Sequence, residues 1–287
     1  MNNVKTVGLL AFMSIILVYV VQAYGGSAIT ALAFAAIFNL GAYFFSDRLA
    51  IAASRAKAVE EHELPQVYAI VRRLALQADM PMPRIYLMDS PQPNAFATGR
   101  NPKNAAVAVT SGILQVMTNE ELEAVLAHEL AHVRNRDILI SSIAAMIAAA
   151  LSMLARFAFF FGGSGRSNRD NPVGAIGALL VLILGPIAAM FIRFAISRAR
   201  EFQADASGAA LTGQPLHLAS ALRKIGAATE RIPMQVNPAV SQLFIANPLK
   251  SLGGRGGVSQ LSKLFSTHPP MEERVTRLEE MAYGGPI

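Results

Sequence analysis

The sequence predicts a mainly α membrane protein, with four transmembrane helices and a cytoplasmic α+β domain that contains a small sheet. Three observations predict it. The 287 residues are 53% hydrophobic and only 15% charged, with a mean hydropathy of +0.39, a balance expected when much of the surface lies in lipid. Four apolar runs are long enough to cross a bilayer, and basic residues gather at one side of them. The polar stretches between and after these runs carry helix and strand patterning.

Residues 1–45 form the first hairpin, with spans at about 6–24 and 28–45 joined by Gly25, Gly26 and Ser27. A cleaved signal peptide is the alternative for the first run, since Lys5 precedes it, but the second long run follows at once and a retained anchor explains both. Residues 138–192 form the second hairpin, with spans at about 138–161 and 173–192. A buried core helix or a re-entrant segment is the alternative for the third run. Arg156 near its far end can snorkel to the interface, and Gly185 and Pro186 in the fourth are accommodated by neighbouring helices. Orientation follows from the flanks. Lys5, Arg48, Arg55, Lys57, Arg134, Arg136, Arg193, Arg198 and Arg200 all fall on one side, against an uncharged turn and a short loop with Arg166, Arg169 and Asp170 on the other. Both termini and the polar regions are therefore expected in the cytoplasm, at the inner (plasma) membrane, in a multi-pass chain. The formal charge of +6 is accounted for by this anchoring in the lipid bilayer, so no nucleic-acid partner is expected.

Residues 46–137 make the first part of the cytoplasmic domain. Leu64, Val67, Ile70, Val71 and Leu74 recur at helical spacing over residues 64–79, and Pro81 and Pro83 end that helix. Residues 84–88 and 105–110 read as strands. Between them, Asn94, Ala95 and Phe96 are a candidate sheet edge for an extended peptide, with a plain structural strand as the equal alternative. Thr118 and Glu121 then form a capping-box pattern, and Leu122, Val125, Leu126, Leu130 and Val133 give the apolar stripe of a helix.

That helix carries His128, Glu129 and His132 in the spacing His-Glu-x-x-His. Positions four apart share a helix face, so both imidazoles can reach one metal ion while Glu129 stands beside its open position. With no cysteine in the chain, a metal must be held by His, Asp or Glu, and zinc suits two imidazoles and a carboxylate with one place left for water. The chemistry implied is metal-assisted hydrolysis. A third histidine is absent where a His-x-x-Gly-x-x-His continuation would put it, because Asn135 and Ile138 stand there. Asp170 lies across the membrane if both later runs span. In the second cytoplasmic part, residues 193–287, the first acidic residue is Glu201. Asp205, four residues on, shares its helix face and is placed to orient a ligand imidazole, although a solvated Arg/Glu/Asp helix is the other reading of this segment. His62 and His217 have no setting that suggests a ligand, and residues 253–257, with one arginine among four glycines, read as a loop.

The order of two apolar spans, Asn94-Ala-Phe-Ala-Thr-Gly99, His128-Glu-Leu-Ala-His132, two more apolar runs, Glu201-Phe-Gln-Ala-Asp205 and Ser266-Thr-His-Pro-Pro270 resembles the HtpX family of membrane zinc endopeptidases, relatives of the CAAX prenyl endopeptidases. The resemblance covers essentially the whole chain. It implies a gluzincin-like metalloprotease domain with His128, His132 and Glu201 on one zinc ion and Glu129 as catalytic base. It also implies a quality-control and stress role, with misfolded or damaged membrane proteins and unfolded polypeptides as substrates, and it brings His268 and Arg274 near the cleft. A homo-oligomer is compatible with the sequence. Two other functions compete. An intramembrane protease would have to embed a helix carrying Glu120, Glu121, Glu123, Arg134, Arg136 and Asp137, which is costly, and a scaffold with a vestigial site would have no use for Glu129.

Overall fold

A computed structural model of the chain describes residues 27–146, 198–251 and 269–284, with scattered positions between 7 and 22. Helix α1 (Ala28–Ser54) starts at Ser27, whose Oγ accepts from the Thr30 N–H at 3.2 Å. Among the described residues it is the one helix long and apolar enough to cross a membrane. Ile29, Leu32, Ile37, Leu40, Phe44 and Phe45 are exposed along it, and the 16 steps from Ile29 to Phe45 rise about 24 Å, most of the thickness of a hydrocarbon core. Asn39 donates from Nδ2 to Ser14 Oγ at 2.6 Å, so a polar pair ties α1 to the helical positions that precede it.

The sequence places the end of this span near Phe45, yet the helix continues nine residues further. The reason is a change of neighbour. Buried Asp47 accepts from Arg84 Nη2 at 2.8 Å, and Ala50 and Ile51 pack on Met88, Phe96, Ala106 and Ala108. The apolar helix thus runs without a break onto the sheet and closes at Arg55, in the left-handed region at φ 59°.

The sheet has the order β1-β2-β4-β3, with β1 (Lys57–Ala58) antiparallel to β2 (Arg84–Met88), β2 parallel to β4 (Ala106–Thr110), and β3 (Ala95–Thr98) antiparallel to β4. Side chains alternate between its faces. Ala106 and Ala108 turn to the end of α1, where small side chains let the helix approach, and Val107 and Val109 turn to the larger core. That core is closed by α2 (Pro65–Gln77), α4 (Asn119–Arg134), α7 (Pro215–Arg231) and α8 (Met271–Ala282), through residues such as Leu74, Leu126, Leu222 and Leu278. Burying each such side chain contributes about 1.5–3 kcal/mol. Helix α3 (Ser111–Val116) links the sheet to α4.

After α4 the chain turns at Asn135 and Arg136 into α5, described over Asp137–Met146. Ile140, Ile143, Ala144 and Met146 pack with Met13 and Ala42, so α5 lies against α1 and the described helical positions before it. The rest of the third run, the whole fourth run, Asp170, residues 253–257 and His268 fall outside the described residues. Helix α6 (Arg198–Thr212) then returns across α4.

Candidate active site

Helix α4 is fixed at its start. Glu121 accepts from the Thr118 N–H at 2.9 Å, and Thr118 Oγ1 accepts from the Glu121 N–H at 3.3 Å, the reciprocal cap that the sequence pattern suggests. Glu121 does more than cap. It also accepts from Ser220 Oγ at 2.7 Å and Lys224 Nζ at 2.6 Å, which docks α7 on the start of α4. The apolar stripe from Leu122 to Val133 is buried, leaving His128 and Glu129, at 1% and 2% exposure, turned to one small cavity.

The opposite wall is α6, and a glycine sets its distance. A Cβ on Gly208 would stand 2.8 Å from His128 N and 2.9 Å from His128 Cα, so the two helix backbones touch where any other residue would hold them apart. Seven and three residues earlier on the same helix come Glu201 and Asp205, both buried. One ligand atom from each of His128, His132 and Glu201 lies within 4.8 Å of the other two. His132 Nε2 is 3.6 Å from Glu201 Oε1, and the two imidazoles stand edge to face with centroids 4.8 Å apart.

The outward nitrogen of each imidazole meets a carboxylate. His128 Nδ1 is 2.9 Å from Asp205 Oδ1, and His132 Nδ1 is 3.3 Å from Asp137 Oδ2. Ligand histidines are commonly oriented from behind in this way, and here Arg274 Nη2 also approaches the inner nitrogen, His128 Nε2, to 3.5 Å. Arg274 on α8 locks the arrangement. It is fully buried and donates to Asp205 from Nε at 2.8 Å and from Nη2 at 2.7 Å, and to the Ile245 carbonyl from Nη1 at 3.0 Å.

Charge follows from these contacts. Burial pushes the Glu129 carboxyl up to about 7, with the Glu201 charge adding to the shift and His132 and a backbone hydrogen bond from Ala97 opposing it. Burial lowers His128 to about 4 against the pull of Asp205. Burial also opposes charge on His132, but Asp137, Glu201 and Glu129 outweigh it and carry that imidazole up to about 9. Burial likewise acts against Asp205, and Arg274 and His128 overcome it to hold the carboxyl below its usual range. A cavity of about 30 Å³ lies among these groups, lined also by Ala97, Ser141 and Arg200. Two imidazoles and a carboxylate converging beside it, with both rings braced by carboxylates, fit a single divalent metal ion with nitrogen and oxygen preference.

The structure brings together His128, Glu129, His132, Glu201, Asp205 and Arg274. It places the candidate peptide edge differently. Strand β3 is at the sheet edge, but Asn94, Ala95 and Phe96 are fully buried. Ala95 O accepts from the Ile245 N–H at 2.9 Å, Phe96 bridges to Phe244, and Asn94 Nδ2 donates to Ala246 O at 2.9 Å. The chain's own segment therefore occupies that part of the edge, and it is Ala97 that lines the cavity. The sequence gives no site role to Asp137, Arg200 or Gly208: Arg200 counts there only as a basic flank of a span, and Asp137 only as a charge beside the metal helix. Asp137 stands five residues after His132, a spacing that a helix followed by a one-residue left-handed turn at Arg136 converts into contact.

Residues 61–282 match peptidase family M48. The chain is 51% identical over 287 residues to a protease HtpX homolog of Thermodesulfovibrio yellowstonii, covering 98% of this chain and 99% of that one. It is also 51% identical over 288 residues to a protease HtpX homolog of Pelotomaculum thermopropionicum, covering 98% and 100%. Among solved structures, Ste24p of S. mikatae shares the fold at a TM-score of 0.50 and 20% identity, over 97% of this chain, which spans 65% of the length of that one. The chain belongs to peptidase family M48, and it is a membrane-bound metallopeptidase that hydrolyses peptide bonds.

Proposed function

We propose that the chain is a zinc endopeptidase that cuts misfolded or damaged membrane proteins and unfolded polypeptides at the cytoplasmic face of the inner membrane. His128, His132 and Glu201 hold the ion, and Glu129 is the catalytic base. The observation that carries this reading is the convergence of those three donors on the cavity that Glu129 also faces. A zinc ion held there would supply Lewis acidity to the attacking water and to the scissile carbonyl. Glu129, its carboxyl poised near neutrality, takes the proton of the attacking water and passes it to the leaving amine. Asp205 and Asp137 keep the two imidazoles aimed inward, and Arg274 keeps Asp205 charged. An extended peptide would lie along the sheet edge at Ala97, beyond the stretch covered by Phe244–Ala246.

The position of the site supports a cut at the membrane surface. Asp137, which braces His132, is the first residue of the apolar helix α5, so the cavity sits where the polar domain meets the bilayer. This reading has four spans, with the polar domain split into residues 46–137 and 193–287, and the basic flanks of the spans support a cytoplasmic position for both parts. The ligand set is tested by zinc content. Glu201→Ala should lose most of its zinc after dialysis against a weak chelator, whereas Asp170→Ala should keep a full equivalent. Equal occupancy in wild type and Glu201→Ala would remove Glu201 from the set.

A further inference from the structure

A second cavity, of about 640 Å³, lies away from the metal ligands, between the first hairpin, the loop after β3 and the start of α5. Its two halves differ in chemistry. Leu10, Tyr43 and Leu139 form an apolar wall that continues the helices packed in the hairpin cluster. Arg100, Lys103 and Arg136 form a basic rim. Among the described residues none of these three cations is ion-paired with a carboxylate. Arg100 instead stacks over the Phe44 ring at 5.2 Å.

The rim is built into the fold. Asn101 Oδ1 accepts from the Asn104 N–H at 3.1 Å and from Asn104 Nδ2 at 2.8 Å, fixing the 3₁₀ turn Pro102–Asn104 that presents Lys103. Arg136 sits in the left-handed region at φ 58°, a conformation that glycine or asparagine adopts at less cost. Tyr43 and Phe44 stand near the polar end of α1's exposed apolar length, the level at which aromatic rings meet headgroups.

We propose that this cavity binds one anionic phospholipid, its phosphate on Arg100, Lys103 and Arg136 and its acyl chains along Leu10, Tyr43 and Leu139. A soluble anion has no use for the apolar wall, and a zwitterionic lipid would bring an ammonium group of its own to a rim that already carries three cations. The site goes beyond the peptidase reading and does not depend on which residues hold the metal.

The test is binding of a fluorescent phosphatidylglycerol to the full-length protein in phosphatidylcholine–detergent micelles. Binding should saturate at one per chain. Glycerol 3-phosphate and inorganic phosphate should compete poorly, because they carry the charge without the chains. Arg100→Gln, Lys103→Gln and Arg136→Gln should each weaken binding about fivefold, and the triple variant on the order of 100-fold. Arg100→Lys with Arg136→Lys should retain binding, and Lys103→Glu, at an exposed position, should weaken it without affecting the fold. A control triple, Arg72→Gln, Arg73→Gln and Lys250→Gln, removes the same charge elsewhere and should change affinity less than twofold. Unchanged binding in the rim triple, equal loss in both triples, or full competition by glycerol 3-phosphate would each overturn the proposal.

Discussion

Replacing Arg274 with methionine would test how far the metal centre depends on a residue that reaches it from the end of the chain. The side chain is fully buried, and its removal leaves Asp205, at 3% exposure, without its two charge-assisted hydrogen bonds and the Ile245 carbonyl without its donor. Leaving one member of a buried ion pair unpartnered costs about 3–5 kcal/mol. At roughly 2–4 °C per kcal/mol for a domain of 150–250 residues, the melting temperature should fall by about 6–20 °C. Metal affinity should fall as well. Asp205 is the contact behind His128, and loosening such a partner typically costs 10–100-fold. Arg274→Met combined with Asp205→Asn removes the stranded charge, so the double variant should regain part of the stability and none of the affinity. The assays are thermal unfolding in detergent and zinc competition against a chelator dye. An Arg274→Met protein that melts within a degree of wild type with unchanged affinity would refute the reasoning, and so would strictly additive stabilities in the double variant.

Three other outcomes follow from the geometry. Gly208→Ala should push α6 away from α4 at the level of His128, costing about 1–3 kcal/mol by overpacking and weakening zinc retention, although the site of substitution carries no ligand; thermal unfolding and chelator competition report both. His132 holds its proton up to about 9 in the metal-free chain, and a ligand imidazole must be neutral. Zinc binding at pH 7 should therefore expel about one proton from it, seen by calorimetry in two buffers, and apparent affinity should fall about tenfold per unit as pH drops below 9. Asp137→Asn removes a carboxylate that raises this pKa, so the dependence should begin at lower pH and the limiting affinity should drop about 10–100-fold. No proton release at pH 7 would contradict the assignment of His132.

Much of this architecture is written in local pattern. The capping box at Thr118, the stripe from Leu122 to Val133 and the i, i+4 pair of histidines are properties of a single helix, and the structure reproduces each of them. Strands β2 and β4 are short β-rich runs between proline and turn residues, equally readable. The features that escaped are tertiary. The extension of α1 to Ser54 depends on Asp47 meeting Arg84, which lies far along the chain. The burial of Asn94–Phe96 depends on the segment at Phe244–Ala246, a pairing that alternation along β3 cannot report. Gly208 reads as an ordinary helical glycine until the backbone of His128 is placed against it. The resemblance of ordered motifs, rather than spacing, brought Arg274 to the cleft, and its bidentate grip on Asp205 supplies the physical reason.

Zinc stoichiometry and peptide cleavage, measured together in the purified full-length protein and in Glu129→Gln, separate metal binding from the proton transfer assigned to Glu129. The glutamine keeps the shape of the cavity wall and leaves His128, His132 and Glu201 in place, but it has no carboxylate to take the proton of the attacking water. The expected result is about one zinc per chain in both proteins, with cleavage by Glu129→Gln lower by several orders of magnitude. Cleavage by Glu129→Gln at the wild-type rate with zinc bound would contradict the account.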